Sequence, residues 1–481
     1  MPRPMNPQSA RVLAHRYFPD WKEQTVETEG LDRWMRGTHE KSVYIPRHYN
    51  TNDEYDDLVE RSPTPYIGLG ITTLVQTLFL DGVKRQGSND ILKSYDIWRQ
   101  NRFNSRQNSL YRDTLGHGQA FVLSLPGRLP MTGEQSAIWR GLSARSTCAW
   151  YEYGDDEWPL FAIHAEEEFD EKGQPGYRVE LIDENAVYTL YAKGEGQNLQ
   201  DWTYISAEEH DSGVPPLVRY TNMTDLSGRH TGEIEPFIPI AKRIDQSLFD
   251  RLIVQRFGAW KVRFITGLQR PQGMTEQQYQ NDLMKMKVND FLIATSDKTK
   301  FGTLDETSLD GFIKARDADI RDFAAVDQVP PYMFLGLSAN MQAESLSAAR
   351  SALMAKSAER KEGLGESHEQ LFRLSAKQTG NTDEMRAWDL ESNWRDTEVR
   401  PLSQAADALG KLASQVGVPV EMLWSMIPNW TDSDVARAKA LVESGTFDAM
   451  MRELSGQLGG AGGGDPFSQL GVQRGQVTQV P

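Results

Sequence analysis

The order in which strand and helix patterns follow one another along the chain is the feature that most constrains its fold. Residues 119–220 alternate polar and apolar positions and contain tight-turn signals, which together predict several short strands joined by hairpins. Residues before this block, and residues from 231 onward, instead repeat their apolar positions at helical spacing. Because strands and helices are segregated along the chain, we predict an α+β protein.

The later helical part contains two amphipathic helices that flank a short insert. In the first, residues 239–257, Ile240 and Ile244 begin a four-residue repeat of apolar positions, which predicts one apolar face on a helix roughly 26 Å long. The second helix is predicted at residues 308–325. Between them, residues 260–303 are predicted to form two strands and a short helix.

A long helix rich in Ala, Glu, Lys and Leu is predicted at residues 344–377, after an apolar loop. Its Gly363 and Gly365 are positions at which the helix could bend. The last helical block ends near residue 450, and the Gly- and Gln-rich residues 451–481 are predicted to be a disordered tail. Shorter helices are predicted nearer the N-terminus, at residues 8–18, 65–80 and 90–115.

Composition narrows the classes of function. The 481 residues suffice for two to four domains and carry a formal net charge of −16. Such an acidic chain is a poor candidate for coating nucleic acid, because most of that affinity comes from cations that neutralise phosphates. The single cysteine, Cys148, excludes a disulfide framework. No apolar stretch is long enough to span a membrane, so no membrane association is expected.

The motifs of common enzyme classes are incomplete. Gly410-Lys411 lacks the upstream glycine of a P-loop, and Gly68-Leu69-Gly70 lacks the third glycine of a dinucleotide fingerprint. His164 and the glutamates at 166–168 form the densest group of metal-ligand types, but we interpret them as a solvated acidic strand end. We interpret His117 as a helix-cap or turn residue. The chain is therefore predicted to be no enzyme, with no catalytic residue, metal or cofactor.

Four further patterns occur in a fixed order. They are IWRQNRFNSRQNSLYRDTLGHGQAFVLSLPG, SGVPPLVRYTN followed by GEIEPFIPIAKRIDQSLFDRLIVQRFGAW, VPPYMFLGLSANMQAESLSAARSALMAKSAERK, and WRDTEVRPLSQAADALGKLASQVGVP. Together they resemble the portal (head-to-tail connector) proteins of tailed double-stranded DNA bacteriophages, in particular the subgroup with long non-contractile tails. The resemblance covers residues 8–450, in order.

The resemblance implies a ring, usually of twelve subunits, at one vertex of the capsid. It also implies a portal-like division of the chain into named regions. These are the wing at 1–235, a stem helix at 236–259, the clip at 260–304, a second stem helix at 305–327, the channel loop at 328–343, the spine helix and wing return at 344–397, and the crown at 398–450.

By the same resemblance, double-stranded DNA passes through the ring during packaging and ejection. The implied partners are the terminase packaging ATPase, the major capsid and scaffolding proteins, and a head-tail connector protein. The protein is expected in the virion, and in the host cytoplasm during assembly. The candidate residues lining the DNA channel are Lys242, Arg243, Arg251, Arg256, Ser338, Asn340, Met341 and Gln342. The loop residues among them include no lysine or arginine, which departs from a loop that grips phosphate. The cations of the helix could pair with Asp245 and Asp250 instead of contacting DNA.

The size of a ring of twelve helices is compatible with a channel for double-stranded DNA. Twelve helices spaced about 10 Å apart would leave a bore roughly 28 Å wide, and B-DNA is about 20 Å across. The acidic net charge would let the duplex slide rather than stick. Three alternatives stay open from the sequence: another ring-forming virion adaptor or minor capsid protein, a metal-dependent hydrolase that uses His164, and a helical scaffold.

Overall fold

The architecture is that of a computed structural model. The structure describes residues 3–40, 42–44, 53–87, 91–170, 173–258, 263–266, 273, 275, 277, 300–303, 308–336, 343–395, 397, 402–427, 430 and 432–443. Of the residues that the structure describes, 50% are helical and 22% are in strands, which confirms the predicted α+β class.

Helices and strands follow the segregated order expected from the sequence. The helices are α1 (Pro7–Arg36), α2 (Asp53–Glu60), α3 (Tyr66–Val75), α4 (Tyr95–Gln100), α5 (Phe103–His117), α6 (Ile238–Gly258), α7 (Asp310–Asp327), α8 (Pro331–Leu335), α9 (Ala343–Gln378), α10 (Thr382–Met385), α11 (Leu402–Lys411), α12 (Val420–Leu423) and α13 (Asp432–Glu443). The strands are β1 (Leu80–Arg85), β2 (Gln119–Arg128), β3 (Gln135–Ser143), β4 (Thr147–Trp150), β5 (Phe161–Phe169), β6 (Pro175–Ile182), β7 (Ala186–Lys193), β8 (Trp202–Glu209), β9 (Leu217–Thr221), β10 (Met223–Thr224), β11 (His230–Thr231), β12 (Arg263–Thr266), β13 (Lys300–Thr303) and β14 (Leu390–Trp394).

Two antiparallel sheets form the centre of the molecule. One has three strands in the order β3-β2-β9, and the other has five in the order β4-β5-β6-β7-β8. Phe121 and Leu123 project from the first sheet onto Ala162 and Ile182 of the second, and all four are buried. The opposite face of the five-stranded sheet packs against α1. Alternate residues of each strand therefore face different layers, as the period of two requires.

The outer face of the three-stranded sheet supports a helical layer made mainly of α5 and α9. At its centre His368 is fully buried, with its Nε2 2.7 Å from the Tyr111 hydroxyl and its Nδ1 2.9 Å from the Tyr220 hydroxyl. Burial lowers the pKa of His368 to about 3, so the ring is neutral near pH 7. A neutral imidazole offers one donor and one acceptor, so one tyrosine donates to His368 and the other accepts from it.

One edge of the three-stranded sheet is partly covered by a side chain. Asn101 is buried beyond β3, where its Nδ2 donates to the Ala137 carbonyl at 2.9 Å. Its Oδ1 accepts from the Trp139 amide at 2.8 Å. The carboxamide thus satisfies two backbone groups that an edge strand would otherwise leave open.

Several boundaries differ from the prediction. The helix expected at 8–18 extends to Arg36, and the one expected at 65–80 ends at Val75, where the chain continues into β1. The single helix expected at 90–115 is two, because Arg102 adopts a left-handed conformation with φ 57°. Pro19 lies within α1 without ending it.

The prediction of a long helix is confirmed. Residues 343–378 form one continuous helix that includes Gly363 and Gly365. The expected amphipathic helices correspond to α6 and α7 to within three residues. The strand and helix expected at residues 279–295, and the tail at 451–481, lie outside the described residues.

Candidate functional site

Helices α6 and α7 pack side by side and carry the charged residues singled out in the sequence. The apolar repeat of α6 buries Ile244, and α7 buries Ile320 and Phe323. The Phe323 ring packs at a tilt against Phe237, just before α6, with ring centroids 4.8 Å apart. The amphipathic spacing thus has the expected effect, because the buried faces join the two helices and leave the charged faces outside.

Two of the predicted cations already have neighbours within the chain. Arg243 is half exposed (54%) and its Nη2 lies 3.1 Å from Asp319 and 3.4 Å from Asp322, both on α7. Lys242 is exposed, and its Nζ lies 5.7 Å from the centre of the Trp34 ring. The cations therefore link α6 to α7 and to α1.

The four cations do not share one face of α6. At about 100° per residue, Lys242 and Arg256 lie about 40° apart around the helix axis, whereas Arg251 is about 180° from Lys242. In agreement, Arg256 is exposed and Arg251 is only partly exposed. The loop residues Ser338, Asn340, Met341 and Gln342 lie outside the described residues.

Asp245 and Asp250 have other partners than the expected cations. Asp245 is buried, and its carboxylate lies 2.9 Å from His39 Nε2 and accepts from the Ser42 hydroxyl at 3.0 Å. His39 in turn stacks on Trp34 with ring centroids 3.5 Å apart. Asp250 accepts from Gln246 within α6. Asp245 therefore anchors α6 to the segment after α1.

A buried ionic network, which sequence reasoning missed, joins both ends of the α6–α7 segment to α9. Lys356 Nζ lies 2.9 Å from Glu233, just before α6, and 2.9 Å from Asp327, the last residue of α7. Arg360, one turn later in α9, contacts Glu233 at 3.2 Å. Each of the four side chains is less than a tenth exposed. We call these four residues the Lys356 network.

The two carboxylates of the Lys356 network respond differently to burial. Burial alone raises the pKa of Glu233, but Lys356 and Arg360 outweigh it and hold that pKa below its ordinary value. Burial raises the pKa of Asp327 to about 6, because Lys356 opposes it only in part. The sequence carries one signal of this network: Lys356 and Arg360 fall four residues apart on the same face of a helix as buried Leu353 and Leu364.

The glycines of the incomplete dinucleotide fingerprint have a packing role. A Cβ at Gly68 would lie 2.4 Å from the Met35 carbonyl oxygen, and one at Gly70 would lie 2.2 Å from Asp327 Oδ2. Both distances are shorter than atoms can approach without displacement, so α3 needs glycine to lie this close to α1 and α7. Lys411 of the incomplete P-loop pairs with Asp407 on α11, at 2.6 Å.

The histidines considered for catalysis or metal binding are engaged within the fold. His164 Nδ1 lies 2.9 Å from the Thr147 hydroxyl, and its Nε2 lies 3.4 Å from Glu166. The glutamates at 166–168 are exposed at the end of β5, which agrees with a solvated strand end. His117 is the last residue of α5 and lies buried beside Asp113.

Across the described ranges, no group of three or more His, Cys, Asp or Glu residues is arranged to hold a metal ion. Among the helices within those ranges, none is both long and apolar enough to cross a bilayer.

Comparison with known proteins gives one family and a set of solved structures. Residues 14–445 match the model of a family described as phage portal protein, SPP1 Gp6-like. No curated protein matches the chain. Among solved structures, a chain from the virion of a native gene transfer agent particle is similar at 12% identity with a TM-score of 0.39, over 82% of this chain and 89% of that chain.

A family match over nearly the whole chain defines the class of protein as a structural component of a bacteriophage virion. The chain belongs to the SPP1 Gp6-like family of phage portal proteins. The resemblance found in the sequence is thereby confirmed. Membership implies a ring oligomer in a particle with a capsid.

Proposed function

We propose that copies of this chain close into a ring at one capsid vertex and form the channel through which double-stranded DNA is packaged and ejected. The observation that carries the proposal is the portal family match over residues 14–445. We further propose twelve subunits, with regions at the wing, stem, clip, channel-loop, spine and crown boundaries given above.

The α6–α7 pair supports a stem role. Its helices have 21 and 18 residues, and so are about 32 and 27 Å long. Their apolar faces pack on each other and on the body, which leaves charged faces for neighbours and for water. A ring of such pairs would have a bore of roughly 28 Å, enough for a hydrated duplex.

Charge supports a sliding channel rather than a gripping one. Twelve copies at −16 each would carry about −192 charges, which disfavours tight phosphate contacts. Of the four candidate cations, Lys242 and Arg256 are the pair that shares a face. Arg243 pairs with Asp319 and Asp322 on α7. We therefore assign Arg243 to joining the two stem helices. Its contact with DNA stays a prediction.

The remaining partners follow from the same proposal. Residues 260–304 would present the docking surface for the terminase ATPase and, after packaging, for the head-tail connector protein. The wing and crown would meet the capsid and scaffolding proteins. Assembly would take place in the host cytoplasm before the ring is built into the particle.

The first test is the mass and rotational symmetry of the purified assembly. Native mass spectrometry and negative-stain microscopy are expected to give closed rings of about twelvefold symmetry with an axial hole. A protein that stays monomeric even with capsid and scaffolding proteins present would contradict the proposal.

The second test separates channel contacts from ring formation. Lys242→Ala with Arg256→Ala should leave rings intact and change the salt dependence of DNA retention in packaged particles, because two weak phosphate contacts are lost. The matched control is Lys314→Ala with Arg321→Ala on α7, whose residues are also exposed. If both double variants and the wild type retain DNA with the same salt dependence, Lys242 and Arg256 do not line the channel.

A further inference from the structure

A cavity of about 430 Å³ opens beside the β3 edge of the three-stranded sheet. Its floor is apolar, since Phe103, Leu110 and Leu142 are each at most 6% exposed. Arg106 of α5 and Arg140 of β3 line its rim, and both are exposed. An apolar floor with a cationic rim suits a partner that presents an aromatic ring next to carboxylates.

The charge of this surface is unusual for the chain. Residues 97–112, which contain most of α4 and α5, include Arg99, Arg102, Arg106 and Arg112 but no Asp or Glu, although the whole chain carries −16. One carboxylate, Asp113, lines the cavity, and it lies 3.2 Å from His117. Arg140 pairs with Glu180, whereas no described residue forms an ion pair with the Arg106 side chain. The rim is therefore cationic at Arg106.

The turn between β4 and β5, residues 152–157, has the complementary chemistry. Tyr153 at its tip is 65% exposed. Glu152 and Asp155 on either side of it are exposed as well. The turn thus presents one aromatic ring between two carboxylates.

This turn is held in place before any partner binds. The Tyr153 amide donates to the Asp156 carboxylate at 2.8 Å, and the Asp156 amide donates to the Tyr153 carbonyl at 3.2 Å. Arg219 of β9 donates to the Gly154 carbonyl at 2.8 Å, and Arg373 of α9 pairs with Glu157 at 2.9 Å. A preorganised turn loses little conformational entropy when it docks, which favours a role as an anchor.

The cavity and the turn lie at opposite edges of one sheet. The cavity abuts β3, Arg219 holds the turn against β9, and the strand order is β3-β2-β9. The turn of a molecule therefore cannot fill that molecule's own cavity. Two different complementary surfaces on opposite sides of a subunit produce a head-to-tail contact, which closes into a ring when repeated by rotation.

We propose that the 152–157 turn of one copy inserts Tyr153 into the β3-edge cavity of the next copy, with Asp155 facing Arg106. The inference rests on the proposed ring and names a contact between neighbouring subunits within it. In the assembled ring, the Tyr153 ring packs on the apolar floor and the carboxylates of the turn neutralise the rim.

The test compares ring formation by matched variants, using native mass spectrometry over a range of protein concentrations. Tyr153→Ala and Arg106→Glu should each raise the concentration needed for rings by about tenfold or more, as expected for loss of a central anchor. Tyr44→Ala and Arg16→Glu are the controls, since Tyr44 is 72% exposed and Arg16 is exposed. The swap Arg106→Glu with Asp155→Arg should recover much of the loss, which a folding defect would not.

Disulfide trapping gives a second measurement that does not depend on affinity. Tyr153→Cys with Ser109→Cys, a residue of the cavity wall, should give a ladder of covalent oligomers on a denaturing gel. Each single variant should give no ladder, because the native Cys148 is buried and cannot serve as the second thiol. Tyr44→Cys with Ser109→Cys should also give none, because Tyr44 is not part of the proposed contact.

The outcomes distinguish the contact from the ring itself. One contrary result is that the wild type forms rings while Tyr153→Ala and Arg106→Glu assemble equally well, and another is that it forms rings while the cysteine pair gives no covalent ladder. Either result would overturn the contact and leave the proposed ring in place. If Arg106→Glu forms normal rings that retain less DNA, the contact is overturned too, because the surface around Arg106 would then bind nucleic acid. A wild-type protein that forms no ring would overturn both.

Discussion

Replacing Lys356 with methionine tests whether the Lys356 network holds α6 and α7 to the body. The change keeps most of the side-chain volume but leaves Glu233 and Asp327 buried without their shared cation. Removal of one partner from a buried ion pair typically costs about 3–5 kcal/mol, because the remaining charge is left uncompensated. We expect a loss of stability of about that size at pH 7.5.

The pH dependence gives this prediction its sharpest form. The folded state binds the Asp327 proton more tightly than the unfolded chain does, so this group makes stability fall as pH rises from 3.8 to about 6. Glu233 has a lowered pKa and acts in the opposite sense, with stability lost as pH falls below 4.5. Because Lys356 lowers the pKa of Asp327, that pKa should rise further when the lysine is removed. The deficit of the variant should then be smaller at pH 5 than at pH 7.5.

Hydrogen exchange of the peptides around residues 233 and 327, followed by mass spectrometry, measures this effect locally. Lys314→Met, an exposed lysine of α7, is the control and should change stability by less than about 0.5 kcal/mol. Adding Asp327→Asn to the methionine variant should restore most of the loss, since Glu233 keeps Arg360 as its partner and no buried carboxylate then lacks a cation. Equal exchange in Lys356→Met and Lys314→Met at both pH values would refute the reasoning.

Three further substitutions test the packing of the body. Tyr111→Phe removes one of the two hydroxyl partners of His368 and should cost about 1–3 kcal/mol in urea unfolding, while the His368 ring, with a pKa of about 3, should show no NMR titration between pH 5 and 8. Gly70→Ala places a Cβ against Asp327 and should destabilise by about 1–3 kcal/mol in the same assay. Asn101→Ala opens two backbone groups of β3 and should cost about 1–3 kcal/mol and increase amide exchange of that strand.

Each of these substitutions has an outcome that contradicts its physical basis. A His368 signal that titrates near pH 6 would mean that the ring is not buried as described. A neutral Gly70→Ala would mean that α3 and α7 are further apart than the glycine requires. Unchanged exchange at β3 in Asn101→Ala would show that water replaces the carboxamide without loss.

The sequence predicts the long regular elements well, because local periodicity determines them. Helices α6 and α7 are expected from apolar spacing, and α9 from its helix-favouring composition, all to within three residues of the observed bounds. The pairing of β1 with β14 could not be foreseen, since Leu80 and Trp394 are partners more than 300 positions apart. Arg102 was also unpredictable as a helix break, because its left-handed backbone follows from packing rather than from a glycine or proline.

The candidate site is less accessible to sequence reasoning than the fold. A pattern of charges identified Lys242, Arg243, Arg251 and Arg256, but charge alone does not show that Arg243 meets Asp319 on another helix. Partners in space, not neighbours in sequence, decide whether a cation is available to DNA. For the same reason the sequence does not show that Lys356 meets two carboxylates, those of Glu233 and Asp327.

The two ends of the α6–α7 segment meet on a single lysine, and this has a consequence for how the protein can vary. The Lys356 network fixes the points where the chain leaves the body, at Glu233, and returns to it, at Asp327. Together with the buried contacts of α6 and α7, these fixed points mean that a change of length or chemistry farther along the segment need not disturb the body. Under the proposed function, evolution can therefore adapt the docking end to a different motor or connector while the layered sheets and their core stay as they are.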